Sequence, residues 1–313
     1  MEHILTINFI SDLLLSMIRM ATPILIVALA ELFSERAGMV NIGLDGIMAF
    51  GALVGFYVSY STQNPMLGIL AGAIGGMAIN MVYAFCTINL GAEQIVYGMA
   101  INIFAPALAS FLYKALFGIN SSLITGTLMQ PLPIPVLESI PYLGKILFQH
   151  PPIVYLVYLL VPVTYIFFTK TKPGLNFMSV GEYPKAAESL GISVMKTKYI
   201  ACMICGALAG IGGAYLTTVY INSYSDGVVS GRGFIALSAV IFGRWSPVGV
   251  LAAALLFGFT DALQLRLQII NTGTQYQLLA MIPYLCTLFV LAFFGIKKAG
   301  PKANGKPYFR EER

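Results

Sequence analysis

Charge is scarce in this chain. Asp, Glu, Lys and Arg together make up 10% of its 313 residues, and hydrophobic residues make up 58%. A soluble domain carries roughly 25% charged residues, and so few charges could not cover the surface of a soluble fold of this length. Histidine is scarcer still: His3 and His150 are the whole complement, both near the edges of apolar runs. No HExxH, GxSxG or GxxxxGK[ST] occurs, which removes the helix-borne zinc site, the nucleophile elbow and the phosphate-cradling P-loop. A membrane enzyme would need a nucleophile with a base, or a set of metal ligands. The acidic residues inside apolar runs, Asp45 and Asp261, have no obvious partner. The chain therefore reads as a non-enzyme, with no metal site and no cofactor of its own.

Cysteine is also sparse. Cys86, Cys202, Cys205 and Cys286 all fall inside apolar runs. Cys202 and Cys205 form a CxxC, but without a second pair they read as small helix-packing residues. The start, MEHILTINF, lacks a basic n-region, so no cleavable signal peptide is expected. The net charge of +5 comes from residues at membrane edges and in the tail, where topology explains them without nucleic acid.

What is abundant is apolar sequence. Runs fall near 8–30, 39–61, 65–89, 94–117, 151–169, 199–221, 234–243 with 248–262, and 276–295. Their lengths suit α-helical spans rather than the short alternating strands of an outer-membrane barrel. The expected fold is all-α and polytopic, with residues 1–296 as the membrane domain and 297–313 as a basic cytoplasmic tail. Lysines between the fifth and sixth runs (170–198), and Lys and Arg after the last run, place both regions in the cytoplasm by the positive-inside rule. Crossings between them are then even in number, which makes 234–262 a hairpin of two short segments broken at Arg244-Trp245-Ser246-Pro247. Counting back places 118–150 outside, 90–93 and 31–38 inside and the N-terminus outside, about nine spans in all. Arg19 strains this count, because a mid-bilayer arginine costs about 3 kcal/mol or more. Two readings follow: residues 4–18 cross with the rest of the first run, or they lie along the membrane surface with the first crossing starting near Arg19. The external loop 118–150 holds Pro131, Pro133, Pro135 and Pro141, which keep it from forming a long helix.

An internal repeat is visible. NIGLDGIM (41–48) resembles FIALSAVI (234–241), and GILAGA (68–73) resembles GVLAAA (249–254). Duplicated halves with interrupted helices are a transporter pattern, with the breaks near the transport path. The pairs Gly51/Gly55, Gly72/Gly76 and Gly206/Gly210 have the spacing of close helix–helix packing faces. Polar residues inside or at the ends of runs are Glu31, Asn41, Asp45, Asn80, Gln94, Asn102, Ser238, Asp261 and Gln264. Singly, each reads as an interhelical hydrogen bond worth about 0.6 kcal/mol. As a set they suggest a hydrophilic path for a neutral polar solute, with Asn41, Asp45, Gln94, Asn102 and Ser238 as its candidates. Tyr57, Tyr83, Tyr97 and Phe104 are available for stacking.

One polar stretch, GEYPKAAESLGI (181–192), interrupts the apolar chain. Pro184 suits the first turn of a helix and Gly191 the position just past its end. The helix between them is about seven residues, roughly 10 Å, too short to persist in water without packing on something. Ala186, Ala187 and Leu190 are expected to form its apolar face, and Lys185, Glu188 and Ser189 its polar one.

This stretch resembles the cytoplasmic coupling loop of ATP-binding cassette importer permeases of the branched-chain amino acid and simple-sugar type, and within them the nucleoside branch, whose loop reads close to GENPxAAxxxGI. Gly181, Glu182, Pro184, Ala186, Ala187, Gly191 and Ile192 match, and Tyr183 replaces the usual asparagine. ELFSERAGMVNIGLDGIM (31–48), GAEQIVYGMAINI (91–103) and GRGFIALSAVIFGRWSPVGVLAAALLFGFTDALQLRLQ (231–268) are similar to further signatures of the family. The resemblance implies a subunit of the bacterial cytoplasmic membrane paired with a second, usually non-identical permease. A separate ATPase with two cassettes would bind ATP and Mg, and an extracytoplasmic lipoprotein would deliver substrate. The coupling residues would be Gly181, Glu182, Pro184, Lys185, Ala186, Ala187, Glu188 and Gly191. Ala186 and Ala187 would let the backbone sit deep in an ATPase groove, with Glu182, Lys185 and Glu188 on its polar rim. The alternatives are a monosaccharide cargo for the same machine, or a stand-alone secondary transporter.

Overall fold

The computed structural model describes residues 7–118, 124–133, 143–270 and 300–309, with scattered positions between 278 and 289. Most of the apolar run at 276–295, together with Cys286, Pro135, Pro141 and part of the tail, lies outside the described residues. Within them the fold is helical: α1 (Ile7–Arg36), α2 (Leu44–Thr62), α3 (Pro65–Ala84), α4 (Gln94–Phe117), α5 (Leu143–Phe148), α6 (Pro152–Lys170), α7 (Lys172–Glu182), α8 (Pro184–Ser189), α9 (Val194–Tyr215), α10 (Arg232–Phe242) and α11 (Pro247–Ile270). π-Helical turns follow α3 at Phe85–Asn89 and α9 at Leu216–Tyr220. Two-residue strands, β1 (Leu132–Pro133) and β2 (Gln149–His150), pair antiparallel with Leu132 opposite His150. Seven of the helices are long and apolar enough to cross a membrane, and α10 is a shorter apolar helix. This is a multi-pass membrane protein.

α1 is unbroken from Ile7 to Arg36, which favours the reading in which the chain before Arg19 continues the first span over a turn onto the membrane surface. At 1.5 Å per residue it is about 45 Å long, against a hydrocarbon core of about 30 Å. Measured from Arg36, Arg19 lies about 26 Å along the axis, near the far edge rather than the middle. Its partners fit that depth. Arg19 Nη2 donates to the Gln149 carbonyl at 3.4 Å. About two turns beyond, Asp12 meets Lys145 at 2.5 Å and Arg266 at 3.8 Å.

The centre of the bundle is α1 packed on α9, with α2 and α3 beside them. Ile24 to Leu29 of α1 are buried on every side, as an all-round apolar helix must be. In lipid the drive to associate is close contact rather than water exclusion, and the three glycine pairs supply it. A Cβ on Gly51 would stand 2.6 Å from Gly210 Cα, and Cβ atoms on Gly76 and Gly210 would run into the backbone of the facing helix. The pairs from α2, α3 and α9 thus interlock in one seam.

The hairpin at 234–262 needs correcting in its proportions. The break at Arg244 and Trp245 is real, and both take positive φ, 52° each. However, α11 runs 24 residues, a full crossing, and α10 only 11, about half of one. Asp261 and Gln264 end the apolar run in the sequence, but the helix continues past them to the outer cluster where Arg266 meets Asp12. In both stretches that resemble each other in sequence, a break is followed by a helix and then by a proline-led helix, α3 from Pro65 and α11 from Pro247. The stretches differ in length, with α2 at 19 residues and α10 at 11.

The segments that the charge rule places inside gather at one end of the molecule. Arg36 Nε donates to the Trp245 carbonyl at 3.0 Å. Gly181 packs on the Arg36 carbonyl with no room for a side chain, and Gly91 packs on the Phe309 ring.

Candidate functional site

At that end lies the polar stretch 181–192. Thr171 caps α7 through Gly174 N at 3.2 Å, and α7 ends at Glu182. Pro184 occupies the first turn of α8. Gly191 takes φ 84° and closes the helix, its N–H reaching Glu188 O at 2.9 Å while Ile192 N reaches Ala187 O at 3.1 Å. α8 has six residues, one fewer than expected, and its faces are arranged differently. Ala187 alone turns inward, 2% exposed, against Val180 and Val194. Ala186 is exposed and Leu190 is 82% exposed. The reason is helical spacing: positions four apart share a face, and position 187 lies about 100° away from 186. The outward surface of α8 is therefore Lys185, Ala186 and Leu190, flanked by exposed Tyr183. Glu188 is tied by the Tyr308 hydroxyl, and Glu182 lies within electrostatic reach of Arg36.

Tyr183, the departure from the usual asparagine, has a structural account. Its hydroxyl accepts from Lys302, whose ammonium stands 4.7 Å over the ring. An asparagine would offer no ring for that contact. Tyr183, Pro184 and Lys185 line a cleft of about 580 Å³ with Lys302, Lys306 and Phe309.

Deeper in the bundle, the chain leaves helical form between α1 and α2, and polar side chains take up the freed backbone groups. Asn41 N donates to Glu31 Oε1 at 2.8 Å, and Asn41 Oδ1 accepts from Gly43 N at 2.9 Å. Asn41 Nδ2 reaches Asn80 Oδ1 at 2.7 Å, and Asn80 Nδ2 reaches the Cys202 carbonyl at 2.6 Å. Gln94 Oε1 accepts from Val40 N at 2.7 Å, and the Tyr83 hydroxyl donates to Val40 O at 2.5 Å. Asn102 bridges Gly46 N at 2.8 Å and Ile42 O at 2.7 Å. Irregular backbone at membrane depth is tolerated only when satisfied in this way.

The five path candidates therefore separate in space. Asn41, Gln94 and Asn102 ring the break. Ser238 bonds back to Phe234 O on its own helix at 3.0 Å. Asp45 sits where the N-termini of α2 and α10 meet, its Oδ1 accepting from Gly233 N at 3.0 Å. Partial positive charge at helix N-termini favours a carboxylate there. Asp45 thus has a partner that the sequence did not show, and both Asp45 and Asp261 lie within electrostatic reach of Arg232. Asp45 also lines a cavity of about 280 Å³, with Ser110 of α4 and Tyr224, Asp226 and Ser230 of the loop before α10. Ser110 Oγ donates to Asp226 Oδ2 at 3.1 Å.

Residues 13–291 match the family described as branched-chain amino acid transport system / permease component. The chain belongs to this permease family. It is 36% identical over 309 residues to the guanosine ABC transporter permease protein NupQ of Bacillus subtilis, covering 94% of this chain and 95% of that one. It is 35% identical over 321 residues to the nucleoside ABC transporter permease protein NupC of Lactococcus lactis, covering 98% and 99%. A putative glucose ABC transporter permease protein, TsgC13 of Haloferax volcanii, is 35% identical over 329 residues, covering 97% and 99%. In the first two organisms a second related permease, NupP or NupB, also matches, each at 24% identity. Such relatives come as pairs of related permeases within ABC transporter systems. No solved structure matches.

Two sets of residues in this permease escaped the sequence reading. One is the cavity set Ser110, Tyr224, Asp226 and Ser230. Its signal was the glycine-rich SYSDGVVSGRG (223–233), which reads only as a turn-rich loop. The other is PKANGKPYF (301–309), read as a basic tail although its Asn-Gly and two prolines are turn signals.

Proposed function

We propose that this permease is one of two membrane subunits of an ATP-driven nucleoside importer of the bacterial cytoplasmic membrane. A separate ATPase with two cassettes binds ATP and Mg, and an extracytoplasmic binding protein delivers the solute. The observation that carries the reading is the outward face of α8 with its cap: an apolar Leu190 and Ala186 held into solvent at the end where the helix ends gather. An 82%-exposed leucine on a helix too short to stand alone calls for a partner.

Transport follows by alternating access. Closure of the cassettes moves α8, and the paired permeases open first outward and then inward, with each state favoured by different contacts. The cavity at Asp45 is the best-supported point on the path. Its acceptors, Asp45 and Asp226, suit sugar hydroxyls, and Tyr224 offers an aromatic wall for a base. Nucleoside rather than monosaccharide cargo is supported by the names of the guanosine and nucleoside relatives. The glucose relative at similar identity keeps a monosaccharide as the second reading. Uptake of labelled guanosine, uridine and glucose into vesicles carrying the complete transporter separates the two. Guanosine or uridine uptake that glucose fails to inhibit is expected, and glucose uptake without nucleoside uptake would reverse the assignment.

A further inference from the structure

Residues 300–309 touch several separate elements. Ala303 N donates to Gly181 O at 2.9 Å, at the start of the coupling stretch. Lys302 holds Tyr183, and the Tyr308 hydroxyl holds Glu188, so both ends of α8 are gripped. Asn304 Nδ2 donates to Glu35 Oε2 at 3.0 Å, the carboxylate oxygen that also accepts from the Trp245 indole. Gly300 lies on that indole ring so closely that a Cβ would stand 2.6 Å from it.

These contacts make a continuous chain. α8 is fastened to the segment, the segment to Glu35 and Trp245, and Trp245 lies in the turn after α10, its N–H bonded back to Val240 O at 3.1 Å. α10 is an 11-residue rod whose other end meets Asp45 through Gly233. Apart from this segment, α8 is held by the small Ala187–Val180–Val194 cluster, and α7 touches α1 at Gly181. That second route reaches the turn through Arg36, so loss of the segment would weaken the transmission without abolishing it.

We propose that residues 300–309 are a transmission strap, carrying displacement of α8 to the α10–α11 turn and so to the Asp45 cavity. The strap rests on the ATPase-driven reading above. It is a positioning element rather than part of the ATPase docking face.

The test uses the complete reconstituted transporter with Asn304→Leu, Lys302→Ala and Tyr308→Phe combined in this chain. ATPase association should stay at the wild-type level, and ATP hydrolysed per nucleoside imported should rise about fivefold or more, the lower end of a typical coupling energy. Trp245 is the chain's single tryptophan, so 5-fluorotryptophan placed in this chain gives one fluorine resonance at the turn. ATP binding should shift that resonance in the wild type and shift it less in the variant. A wild-type ATP-to-nucleoside ratio in the triple variant would overturn the strap. So would an unchanged ATP-dependent shift at Trp245, or loss of ATPase association with normal coupling in the complexes that remain. Asn304→Leu alone, which leaves both grips on α8 in place, should move the ratio and the resonance in the same direction. Nucleoside uptake by the wild-type complex without ATPase would defeat the importer reading, and the strap with it; uptake that needs ATPase leaves that reading standing whatever the strap variants do.

Discussion

Leu190→Ser and Ala187→Trp should fail in different ways. Ala187 lies in α8 and Leu190 caps its C-terminal end, and a linear reading of the stretch puts them on one face. Leu190 is 82% exposed and Ala187 2% exposed. Burying a leucine is worth about 1.5–3 kcal/mol. With four-fifths of its surface open before docking, burial against an ATPase groove contributes about 1.2–2.5 kcal/mol. Replacing it by serine should therefore weaken ATPase binding about 8- to 70-fold and leave the permease folded, since the Leu190 side chain is largely exposed. Ala187→Trp forces a large ring between Val180 and Val194, an overpacking that costs about 1–3 kcal/mol. It should lower the melting temperature of the isolated permease in detergent. The assay is surface-immobilised permease titrated with purified ATPase, beside thermal unfolding of each variant. Wild-type ATPase affinity for Leu190→Ser would refute the assignment of the outward face. A wild-type melting temperature for Ala187→Trp would refute the inward one.

Gly51→Ala places a methyl group 2.6 Å from Gly210 Cα. The seam must open, and thermal unfolding in detergent should show a loss of about 1–3 kcal/mol. Asn41→Leu strands Gly43 N–H and Asn80 Oδ1 in the break, each at about 1–3 kcal/mol, so the same assay should show a larger loss than Gly51→Ala. Asp45→Asn keeps an acceptor for Gly233 N–H but removes the charge, so it should leave stability near wild type and reduce nucleoside uptake in vesicles. His150 is buried beside Ile146 O at 2.8 Å, and burial holds its ring below the ordinary histidine range. The folded protein therefore keeps it neutral while the unfolded chain takes up a proton below about pH 6.5. Its contribution to stability is lost as pH falls through that range, and His150→Gln should remove that part of the pH dependence in a series of melts from about pH 7.5 to pH 5.

Much of the architecture was legible because membrane sequences expose their constraints. Apolar run lengths and the glycine pairs each answer to one physical rule, and the fold honours both. The α10–α11 hairpin was misjudged because Asp261 and Gln264 end an apolar run without ending a helix. The cost of such a residue depends on what it meets, and for Asp261 the Arg232 charge acts from an element that a linear scan does not bring beside it. Arg19 was misplaced for a related reason: the extra length of α1 carries it to the membrane edge. Of the coupling stretch, Pro184 and Gly191 marked its ends, but a six-residue helix has too few turns to reveal which face is inside. Asn41, Gln94 and Asn102 stood out as polar residues in apolar runs. Only coordinates show that they serve the broken backbone after α1. The strap was hidden in a tail whose lysines drew attention away from its turn residues.

The central claim is that this chain moves solute only as part of an ATP-driven complex, and vesicle reconstitution tests it most directly. Labelled guanosine uptake should require this permease, its partner permease, the ATPase, the binding protein and ATP inside the vesicle compartment that faces α8. Guanosine accumulation in vesicles that hold this chain alone, driven by an ion gradient and without ATPase, would contradict it.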